Sequence, residues 1–371
     1  GDWSSDVCSS DLILRRHIQD MPPYQPIHPF SVLSEQLGIP EDEIIKLDAN
    51  ENPFGPLPQV REALRDLEHI HIYPDPESRY LRQDLSRVHG IPADNILVGA
   101  GADELIDLIL RVTLNPGDLL LNCPPTFSMY AFDADVNAAR TLPVPRRADF
   151  SLNLPALEEA IQEHEPKLLF LASPNNPDGG LLSREELVSL LAFPLLIVVD
   201  EAYIDFAPDG ASMLPLAGQY ENLIMLRTFS KWAGLAGLRV GYGVFPSWIT
   251  PAILKIKQPY NVNLAASAAA RVTLQHRSRL AEQTSLIIRE RDSLYDNLQD
   301  LPWLSPYPSR ANFILCRVKG REAGELKESL ARMGILIRYF NKPGLDDHIR
   351  ISVGTPRHNQ KLLEALRQLS A

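Results

Sequence analysis

The sequence predicts an α/β protein with a large domain built on a mostly parallel sheet and a smaller α/β domain after it. Three observations lead to this prediction. The chain has 371 residues, more than one hydrophobic core usually holds, so two domains are expected. Several short apolar runs indicate strands that are buried on both faces. These runs alternate with helical patterns, which is typical of parallel sheets covered by helices.

Composition narrows the classes of function. The chain is 45% hydrophobic and 22% charged, as in an ordinary globular protein. A formal net charge of -11 and the lack of a long basic run argue against nucleic-acid binding. No apolar run approaches the ~20 residues that span a bilayer, and no secretory signal is recognisable, so we expect a cytoplasmic protein without a membrane partner. The cysteines, Cys8, Cys123 and Cys316, are far apart and lack ligand spacing, so neither a disulfide nor a metal site is expected.

The N-terminal region is expected to be irregular. Residues 1–12 have no apolar periodicity and look like a translated sequencing adapter, so we leave them out of the fold prediction. The segment from Ile13 to Gly38 is rich in proline, which favours an extended arm over a long helix. Arms of this kind often wrap a partner subunit. Ile44-Ile45-Lys46-Leu47 then indicates a short strand, and a turn-rich segment follows it.

A strand–turn–helix unit comes next. Ile96-Leu97-Val98 indicates a buried strand that runs into the glycine turn Gly99-Ala100-Gly101-Ala102-Asp103-Glu104, and apolar residues then recur at helical spacing. Free N–H groups at a helix start and the positive end of the helix dipole favour an anion, and glycines let the backbone approach it closely. Many α/β turns have this pattern without binding anything, so the signal alone is weak.

Strands and helices continue to alternate along the chain. Strand-like apolar runs occupy 119–121, 168–171, 195–199 and 223–226. Helical patterns begin near Tyr80 and cover 154–163 and 183–191, the last of them opening with the capping box Ser183-Arg184-Glu185-Glu186. This alternation supports the parallel sheet.

Polar side chains fall at the ends of three successive strands. Asn176 follows the second of the four runs, and Asp200 and Tyr203 follow the third. Lys231 follows the fourth. Each residue alone has an ordinary explanation as a turn, a helix cap or a core residue with a polar tip. Because ligands gather at the carboxyl ends of parallel strands, the residues together indicate a binding site.

The stretch from Thr228 to Arg239 suggests what this site binds. A lysine amine is a nucleophile only when unprotonated, and pyridoxal phosphate supplies a carbonyl with which it forms a Schiff base. The cofactor also brings a phosphate, for which Thr228, Ser230 and Arg239 offer two hydroxyls and a guanidinium. An isolated Ser-Lys pair is more often part of a surface turn. Here the polar residues at the neighbouring strand ends favour the other interpretation, that Lys231 is a cofactor-bearing amine.

The remainder of the chain predicts a connector and a smaller α/β domain. A helical region starts between Asn263 and Ala270. A long amphipathic helix is indicated by leucine and isoleucine at spacings of seven, four and three residues, namely at Leu280, Ile287, Leu294, Leu298 and Leu301. Short strands at 312–315, 335–338 and 348–353 and a final helix to Leu369 complete the chain.

As a set, the motifs resemble those of the fold-type I pyridoxal-phosphate aminotransferases, and most closely the histidinol-phosphate aminotransferases of the class II subfamily. The motifs that carry the resemblance are Asn50-Glu51-Asn52-Pro53, Tyr73-Pro74-Asp75, Gly101-Ala102-Asp103-Glu104, Ser173-Pro174-Asn175-Asn176-Pro177, Asp200-Glu201-Ala202-Tyr203, Thr228-Phe229-Ser230-Lys231, Gly237-Leu238-Arg239-Val240-Gly241 and Arg350-Ile351-Ser352-Val353-Gly354-Thr355.

The resemblance covers nearly the whole chain, from about Tyr24 to the end. It implies a seven-stranded, mostly parallel sheet flanked by helices in the large domain. We expect residues 13–47 to form an N-terminal arm that is part of the small domain, residues 48–270 the large cofactor-binding domain, and residues 271–371 the small C-terminal domain.

The resemblance also implies roles for single residues. Lys231 would form the Schiff base and move a proton between substrate and cofactor. Asp200 would hold the pyridine nitrogen protonated, so that the ring accepts electrons. Asn176 and Tyr203 would hydrogen-bond the phenolic oxygen of the ring. Tyr130 would stack on the ring, with Phe127 the weaker candidate.

The cofactor phosphate would be held by the turn and by the lysine stretch. The resemblance implies that the backbone of Gly101, Ala102 and Asp103 contributes N–H groups, together with the hydroxyls of Thr228 and Ser230 and the guanidinium of Arg239. Tyr73 would reach the phosphate of the neighbouring subunit's cofactor, which makes a homodimer necessary for a complete site.

Substrate binding would rest on residues from both ends of the chain. Arg350, assisted by Arg338, would bind the carboxylate of glutamate or the phosphate of histidinol phosphate, and Tyr24 and Asn52 are expected to contact the substrate as well. The sequence departs from the family pattern at Asp178, where the family commonly has threonine, and at Trp232, where a small residue is more common.

The function that the resemblance implies is amino transfer from histidinol phosphate to 2-oxoglutarate, giving imidazole-acetol phosphate and L-glutamate in histidine biosynthesis. The same framework also serves aromatic amino-acid aminotransferases and a threonine-phosphate decarboxylase. A cofactor-binding protein without turnover is disfavoured, because Lys231, Asp200, Asn176, Tyr203 and Arg350 are all present.

Overall fold

The computed structural model describes residues 13–21 and 29–369. Its strands in chain order are β1 (Ile45–Leu47), β2 (Ile96–Gly99), β3 (Leu119–Asn122), β4 (Arg140–Pro143), β5 (Leu168–Ala172), β6 (Leu196–Asp200), β7 (Leu223–Thr228), β8 (Gly241–Val244), β9 (Leu304–Pro306), β10 (Phe313–Val318), β11 (Ile335–Tyr339) and β12 (His348–Ser352).

The helices of the described residues in chain order are α1 (Arg16–Gln19), α2 (Phe30–Leu37), α3 (Pro58–Arg65), α4 (Arg79–His89), α5 (Ala102–Thr113), α6 (Met129–Val136), α7 (Leu154–His164), α8 (Arg184–Leu190), α9 (Thr250–Ile256), α10 (Leu264–Gln275), α11 (Arg277–Gln299), α12 (Ala323–Arg332) and α13 (Pro356–Gln368). None of the helices that the structure describes is long and apolar enough to cross a membrane.

The larger sheet has seven strands in the order β2-β8-β7-β6-β5-β3-β4. Strands β4, β3, β5, β6 and β7 are parallel to one another, whereas β8 is antiparallel to both β7 and β2. Six strands therefore run one way and β8 runs the other way. The predicted mostly parallel, seven-stranded sheet is confirmed.

The apolar strands of this sheet feed two hydrophobic cores, one on each face. Leu169 and Leu171 of β5 pack in one core and Leu168 and Phe170 in the other, as the two-residue period of a strand requires. Helix α4 covers the first face and helix α5 covers the second. Burial on both faces explains why these strands have no polar alternation in the sequence.

The smaller sheet has five strands in the order β1-β11-β12-β10-β9. Strand β1 pairs in parallel with β11, and Ile45 lies opposite Ile335. The other pairs are antiparallel. The N-terminal strand therefore belongs to a sheet whose other strands all come from the C-terminal third of the chain.

Local sequence signals predicted the start of one helix and the presence of another. The Ser183 hydroxyl accepts from the Glu186 backbone N–H, and the Glu186 carboxylate accepts in return from the Ser183 N–H, so the predicted capping box is confirmed. The predicted amphipathic helix is also confirmed as α11, with Leu280 and Ile287 among its buried residues. It ends before Leu301, which packs in the core of the smaller sheet.

The prediction of an extended N-terminal arm is wrong for the part of the arm that is described. Helix α1 and the eight-residue helix α2 form there. Helix α2, which has Gly38 as its C-cap, begins where the proline-rich pattern ends and helix-forming residues follow. Tyr24 lies outside the described residues.

Candidate active site

Strand direction brings the predicted site residues to one edge of the larger sheet. Asp200, the last residue of β6, lies opposite Ala172 of β5 and Leu226 of β7 in the sheet register. The segments that carry Asn176 and Lys231 leave β5 and β7 at this same edge. Parallel strands thus gather side chains that are far apart in sequence.

Strand β8 explains how Arg239 joins them. Gly241 begins β8 and lies opposite both Thr228 of β7 and Gly99 of β2. Because β8 runs against the other strands, the residues just before it, including Arg239, lie at the carboxyl edge of those strands. The reversed strand therefore delivers a guanidinium to the glycine turn.

Lys231 lies at the same edge of the larger sheet. Its Nζ donates a hydrogen bond of 3.2 Å to the Ala49 carbonyl oxygen. The same nitrogen lies 5.7 Å from the centre of the Tyr203 ring. Lys231 is half-buried, so its amine is enclosed by the protein and still has access to a ligand.

Asp200 is a buried carboxylate with two hydrogen-bond donors. The Tyr130 hydroxyl donates to Oδ2 at 2.8 Å, and the Ala202 backbone N–H donates to Oδ1 at 3.0 Å. Burial raises the pKa of Asp200 to about 6, because the charged form loses its hydration, while the two hydrogen bonds oppose the rise. A cationic partner next to this carboxylate would hold it ionised.

The prediction that Tyr130 stacks on a cofactor ring does not fit the structure. Tyr130 has no exposed surface, and its ring stacks on Phe170 with 4.7 Å between the ring centres. A fully buried ring offers no face to a ligand, and its hydroxyl is committed to Asp200. Phe127 is half-buried and meets Tyr130 edge-on at 5.5 Å, so it is the aromatic residue with an available surface.

Tyr203 is largely buried behind Lys231. Its exposed fraction is 7%, and its hydroxyl oxygen accepts a 3.0 Å hydrogen bond from the Asn50 side-chain amide. The sequence motif that contains Asn50 indicated a turn, and Asn50 was absent from the predicted site residues. A fully buried asparagine with a positive φ angle has no distinct signal in one sequence, so only the structure shows this contact.

Arg350 is a buried guanidinium that contacts Asn176. Its Nη1 donates to the Asn176 side-chain oxygen at 2.6 Å, and its Nη2 donates to the Asp48 carbonyl at 2.7 Å. Its Nε is buried without a hydrogen-bond partner among the described residues. Burial lowers the pKa of Arg350 to about 10, since the charged form is poorly solvated there.

A second guanidinium lies beside it. Arg338 of β11 is directly opposite Arg350 of β12, so the two side chains are on one face of the smaller sheet. Both guanidinium groups lie within 6 Å of the Phe340 ring, at 5.8 Å and 5.7 Å from its centre. Two like charges close together, one of them with an unpaired donor, form a site suited to an anion.

The glycine turn and Arg239 form a second anion cradle. Gly101 has a φ of +86°, and a Cβ there would lie 2.6 Å from Arg239 Nη2. Helix α5 begins at Ala102, so its first N–H groups have no acceptor within the helix. Arg239 Nη2 pairs with Asp103 Oδ2 at 2.6 Å.

The lysine stretch supplies hydroxyls to the same edge. The Thr228 hydroxyl donates to the Ser230 oxygen at 2.9 Å, and both residues are buried. The predicted backbone and hydroxyl donors are therefore brought together.

The remaining predicted residues have other contacts. The Asn52 amide donates to the Trp232 carbonyl at 2.9 Å, and its oxygen accepts from the Phe54 N–H, so Asn52 anchors the loop beside the lysine. Tyr73 is 78% exposed and stacks on Tyr260 with 4.5 Å between the ring centres. No cluster of metal-ligating side chains occurs within residues 13–21 and 29–369.

The two residues that depart from the family pattern, Asp178 and Trp232, make hydrogen bonds that hold the local backbone. The buried Asp178 carboxylate accepts from the Gly180 N–H at 2.8 Å and from the Asn175 amide, so it holds the turn that carries Asn176. The indole N–H of Trp232 donates to the Thr228 carbonyl at 3.0 Å.

Comparison with known proteins identifies the family of the chain. The model of the family "Aminotransferase class I and II" matches residues 42–366. The chain belongs to the class I and II aminotransferases. This aminotransferase is 49% identical to histidinol-phosphate aminotransferase 1, chloroplastic, of Arabidopsis thaliana, in a match that covers 99% of this chain and 88% of the relative. It is 48% identical to the histidinol-phosphate aminotransferase of Roseiflexus castenholzii, with 96% and 98% covered.

A solved structure extends the similarity to the fold. The histidinol-phosphate aminotransferase of Sinorhizobium meliloti, in complex with pyridoxal-5'-phosphate, superposes on this aminotransferase with a TM-score of 0.88. The two sequences are 30% identical, and the match covers 96% of this chain and 98% of the other. The resemblance to aminotransferases of fold-type I is confirmed.

Proposed function

We propose that this aminotransferase moves the amino group of histidinol phosphate to 2-oxoglutarate with pyridoxal phosphate as its cofactor. The observation that carries the proposal is the 49% identity, over 99% of the chain, to a relative named for that substrate. The solved relative that binds pyridoxal-5'-phosphate supports the choice of cofactor.

The side chains at the sheet edge fit this cofactor. The cradle of Gly101, Ala102 and Arg239, with the Thr228 and Ser230 hydroxyls, suits its phosphate. Asp200 suits its ring nitrogen, because a protonated nitrogen would neutralise a carboxylate that burial makes costly. We assign the stacking position to Phe127 in place of Tyr130.

Each residue then has a chemical task. Pyridoxal phosphate, when bound, supplies a reactive carbonyl and a ring that accepts electrons. Lys231 would hold the cofactor through Nζ and, once the substrate amine has taken its place, would carry a proton to and from the substrate carbon. Tyr203 and Asn176 hydrogen-bond the ring oxygen. Asp200 keeps a proton at the ring nitrogen.

Arg350 and Arg338 select the anionic end of each substrate. Histidinol phosphate carries a phosphate, and 2-oxoglutarate and glutamate carry carboxylates. Both groups accept paired hydrogen bonds from a guanidinium. The unpaired Nε of Arg350 and its lowered pKa mean that an anion would relieve an unfavourable buried charge. Tyr24 and Asn52 remain proposed contacts of the substrate.

We also propose that the active form is a homodimer. Tyr73 is exposed together with Ile70 at 77% and Ile72 at 55%, and Tyr260 stacks on it. Contiguous exposed apolar side chains are typical of an interface. In the dimer, Tyr73 would reach the cofactor phosphate of the neighbouring subunit. We further propose the domain division given above, with residues 48–270 holding the cofactor and residues 13–47 and 271–371 forming the smaller domain.

The cofactor assignment can be tested by absorbance. Purified protein supplied with pyridoxal phosphate should show the visible band of a lysine-bound cofactor, and Lys231→Ala should lose it, because no other amine replaces Nζ. Lys255→Ala, a change at an exposed lysine of α9, is the matched control and should keep the band. A wild-type protein that stays colourless would exclude this cofactor.

The substrate is tested by single half-reactions. Histidinol phosphate should convert the bound cofactor to its amine form faster than phenylalanine, and threonine phosphate should release no carbon dioxide. The expected preference follows from an anion site that suits a phosphate. Conversion by phenylalanine but not by histidinol phosphate would favour an aromatic amino-acid aminotransferase. Release of carbon dioxide would favour the decarboxylase.

A further inference from the structure

Three consecutive residues after β1 each touch a different residue of the proposed site. This segment, Asp48-Ala49-Asn50, is called the 48–50 segment below. Its contacts are Asp48 O with Arg350 Nη2 at 2.7 Å, Ala49 O with Lys231 Nζ at 3.2 Å, and Asn50 Nδ2 with Tyr203 Oη at 3.0 Å. Only Asn50 uses its side chain, so its contact depends on residue type.

Asn50 is held more firmly than a turn residue needs to be. It is 1% exposed and has a φ of +54°, which few residues other than glycine adopt. Its backbone N–H donates to the Ser352 hydroxyl oxygen at 2.8 Å, and its carbonyl accepts from the Asn312 amide at 3.0 Å. Its side-chain oxygen lies 2.9 Å from the same Ser352 oxygen.

These contacts fix which group donates and which accepts in the hydrogen bonds that join Asn50 to Ser352 and Tyr203. A backbone N–H can only donate, so the Ser352 oxygen accepts from Asn50 and keeps its own hydrogen for another acceptor. That acceptor is the Asn50 side-chain oxygen. The amide is thereby locked in one orientation, and its Nδ2 must face Tyr203 as a donor.

The locked Asn50 amide determines where the Tyr203 hydroxyl can donate its hydrogen. Because its oxygen accepts from Asn50, the hydroxyl hydrogen of Tyr203 is directed to a different acceptor. Accepting one hydrogen bond also polarises a hydroxyl and makes it a stronger donor. Ser352 belongs to β12 of the smaller sheet and Tyr203 follows β6 of the larger sheet, so Asn50 sets this geometry across both sheets.

We propose that Asn50 is a positioning residue that, through its Ser352-locked amide, fixes Tyr203 as a hydrogen-bond donor to the ring oxygen of the cofactor. The inference rests on the proposed function, because it assigns the acceptor of Tyr203 to pyridoxal phosphate. Asn50 itself acts only through Tyr203.

The test is a pH titration of the visible absorbance of the holoenzyme. A donor at the ring oxygen stabilises its ionised form and lowers the pH midpoint of the colour change. Asn50→Gly accepts the positive φ and removes the amide, so the midpoint should rise by about 0.5 to 1 pH unit, the worth of one ordinary hydrogen bond. Asn50→Asp should raise it further, since a carboxylate would accept the Tyr203 hydrogen.

A double variant separates positioning from general damage. Tyr203→Phe alone should raise the midpoint, and Asn50→Gly added to it should change the midpoint no further, because the hydroxyl through which Asn50 acts is gone. Asn312→Ala is the matched control: it breaks a hydrogen bond to the Asn50 carbonyl and leaves the bond to Tyr203 in place. Its midpoint should equal that of the wild type.

The outcomes are distinct. An unchanged midpoint in Asn50→Gly, an equal rise in Asn312→Ala, or a full additional rise in the Tyr203→Phe background would overturn the inference. If Asn50→Gly does not fold, Ser352→Ala decides, because releasing the amide should raise the midpoint in the same direction and a constant midpoint would overturn the inference. Loss of the visible band in wild-type protein would instead overturn the proposed function.

Discussion

At the scale of single residues, Asp200 depends on a neighbour that the site does not expose. Its carboxylate is buried, and the Tyr130 hydroxyl provides one of its two hydrogen bonds. Tyr130 in turn is packed on Phe170 and cannot move away cheaply. In the proposed site, the charge of the cofactor's ring nitrogen would therefore depend on a phenol in the core of the larger sheet.

Replacing this phenol should weaken cofactor binding. Tyr130→Phe keeps the packed ring and removes one donor to a charged group, which costs about 1.5 kcal/mol. The cofactor Kd should rise about tenfold, and the pKa of Asp200 in the cofactor-free protein should rise further above about 6, because the donor that favours its ionised form is lost. Equilibrium titration with pyridoxal phosphate measures the first effect and infrared difference spectra the second.

The control is a tyrosine with no link to Asp200. The Tyr295 hydroxyl, on α11, accepts from Gln299, so Tyr295→Phe should leave the cofactor Kd unchanged. Equal Kd values for Tyr130→Phe and the wild type would show that the hydrogen bond does not contribute.

At the scale of elements, the close approach of β8 to the start of α5 shapes the proposed phosphate cradle. A Cβ at Gly241 would lie 2.6 Å from the Ala102 nitrogen and 2.7 Å from the Gly101 carbonyl carbon. Both are backbone atoms, so no flexible side chain can make room. A glycine at the first residue of β8 thus lets the strand and the helix N-terminus meet.

Gly241→Ala should therefore impair the cradle. The added methyl group must push β8 and α5 apart, which costs about 1 to 3 kcal/mol of unfolding free energy by overpacking, and the cofactor Kd should rise at least about tenfold. Urea unfolding of the cofactor-free protein and cofactor titration measure the two effects. Gly237→Ala is the matched control, since a Cβ there meets nothing within 4 Å and both quantities should stay nearly constant. Similar losses in both variants would contradict this account.

The element scale also shows which features the sequence could predict. Buried strands such as β5 and β6 are continuous apolar runs, and their polar ends followed directly. Strand β8, Gly241–Val244, is absent from the predicted strands because its two glycines indicate a turn. A Cβ would clash with neighbouring backbone at Gly241 and with the Phe245 and Leu226 side chains at Gly243. Helix α2 was missed because prolines dominate the segment before it.

Site residues were predictable to a different extent. Lys231 follows β7 and Asp200 ends β6, so the positions of both depend on a strand topology that the sequence pattern reveals. The sequence does not reveal that the Tyr130 ring is fully buried, because the direction of a helix relative to the sheet decides which of its aromatic residues is buried. Asn50 was missed because its role depends on a hydrogen-bond network with Ser352, about three hundred residues later in the chain.

At the scale of the whole molecule, the proposed homodimer predicts complementation between two damaged chains. Tyr73→Ala and Lys231→Ala should each be strongly impaired alone. When they are co-expressed with different tags, a hybrid dimer has one site that combines Lys231 of one chain with Tyr73 of the other. About half of random dimers are hybrids with one intact site of two, so about a quarter of wild-type activity should return.

The isolated hybrid decides between the two arrangements. If Tyr73 served the site of its own chain, every hybrid would lack either Tyr73 or Lys231 at each site and no activity would return. Mixing the two purified variants without subunit exchange controls for contamination.

The pairing of β1 with β11 has a consequence for how the chain is made. Strand β1 leaves the ribosome well before β11, because Ile45 and its partner Ile335 are far apart in the sequence. Closing so long a loop is entropically costly and slow. Until β11 has been made, the 48–50 segment has no fixed sheet to anchor it, so the contacts with Lys231, Tyr203 and Arg350 form late. A nascent or C-terminally truncated chain would thus build the larger sheet and still lack a finished catalytic centre.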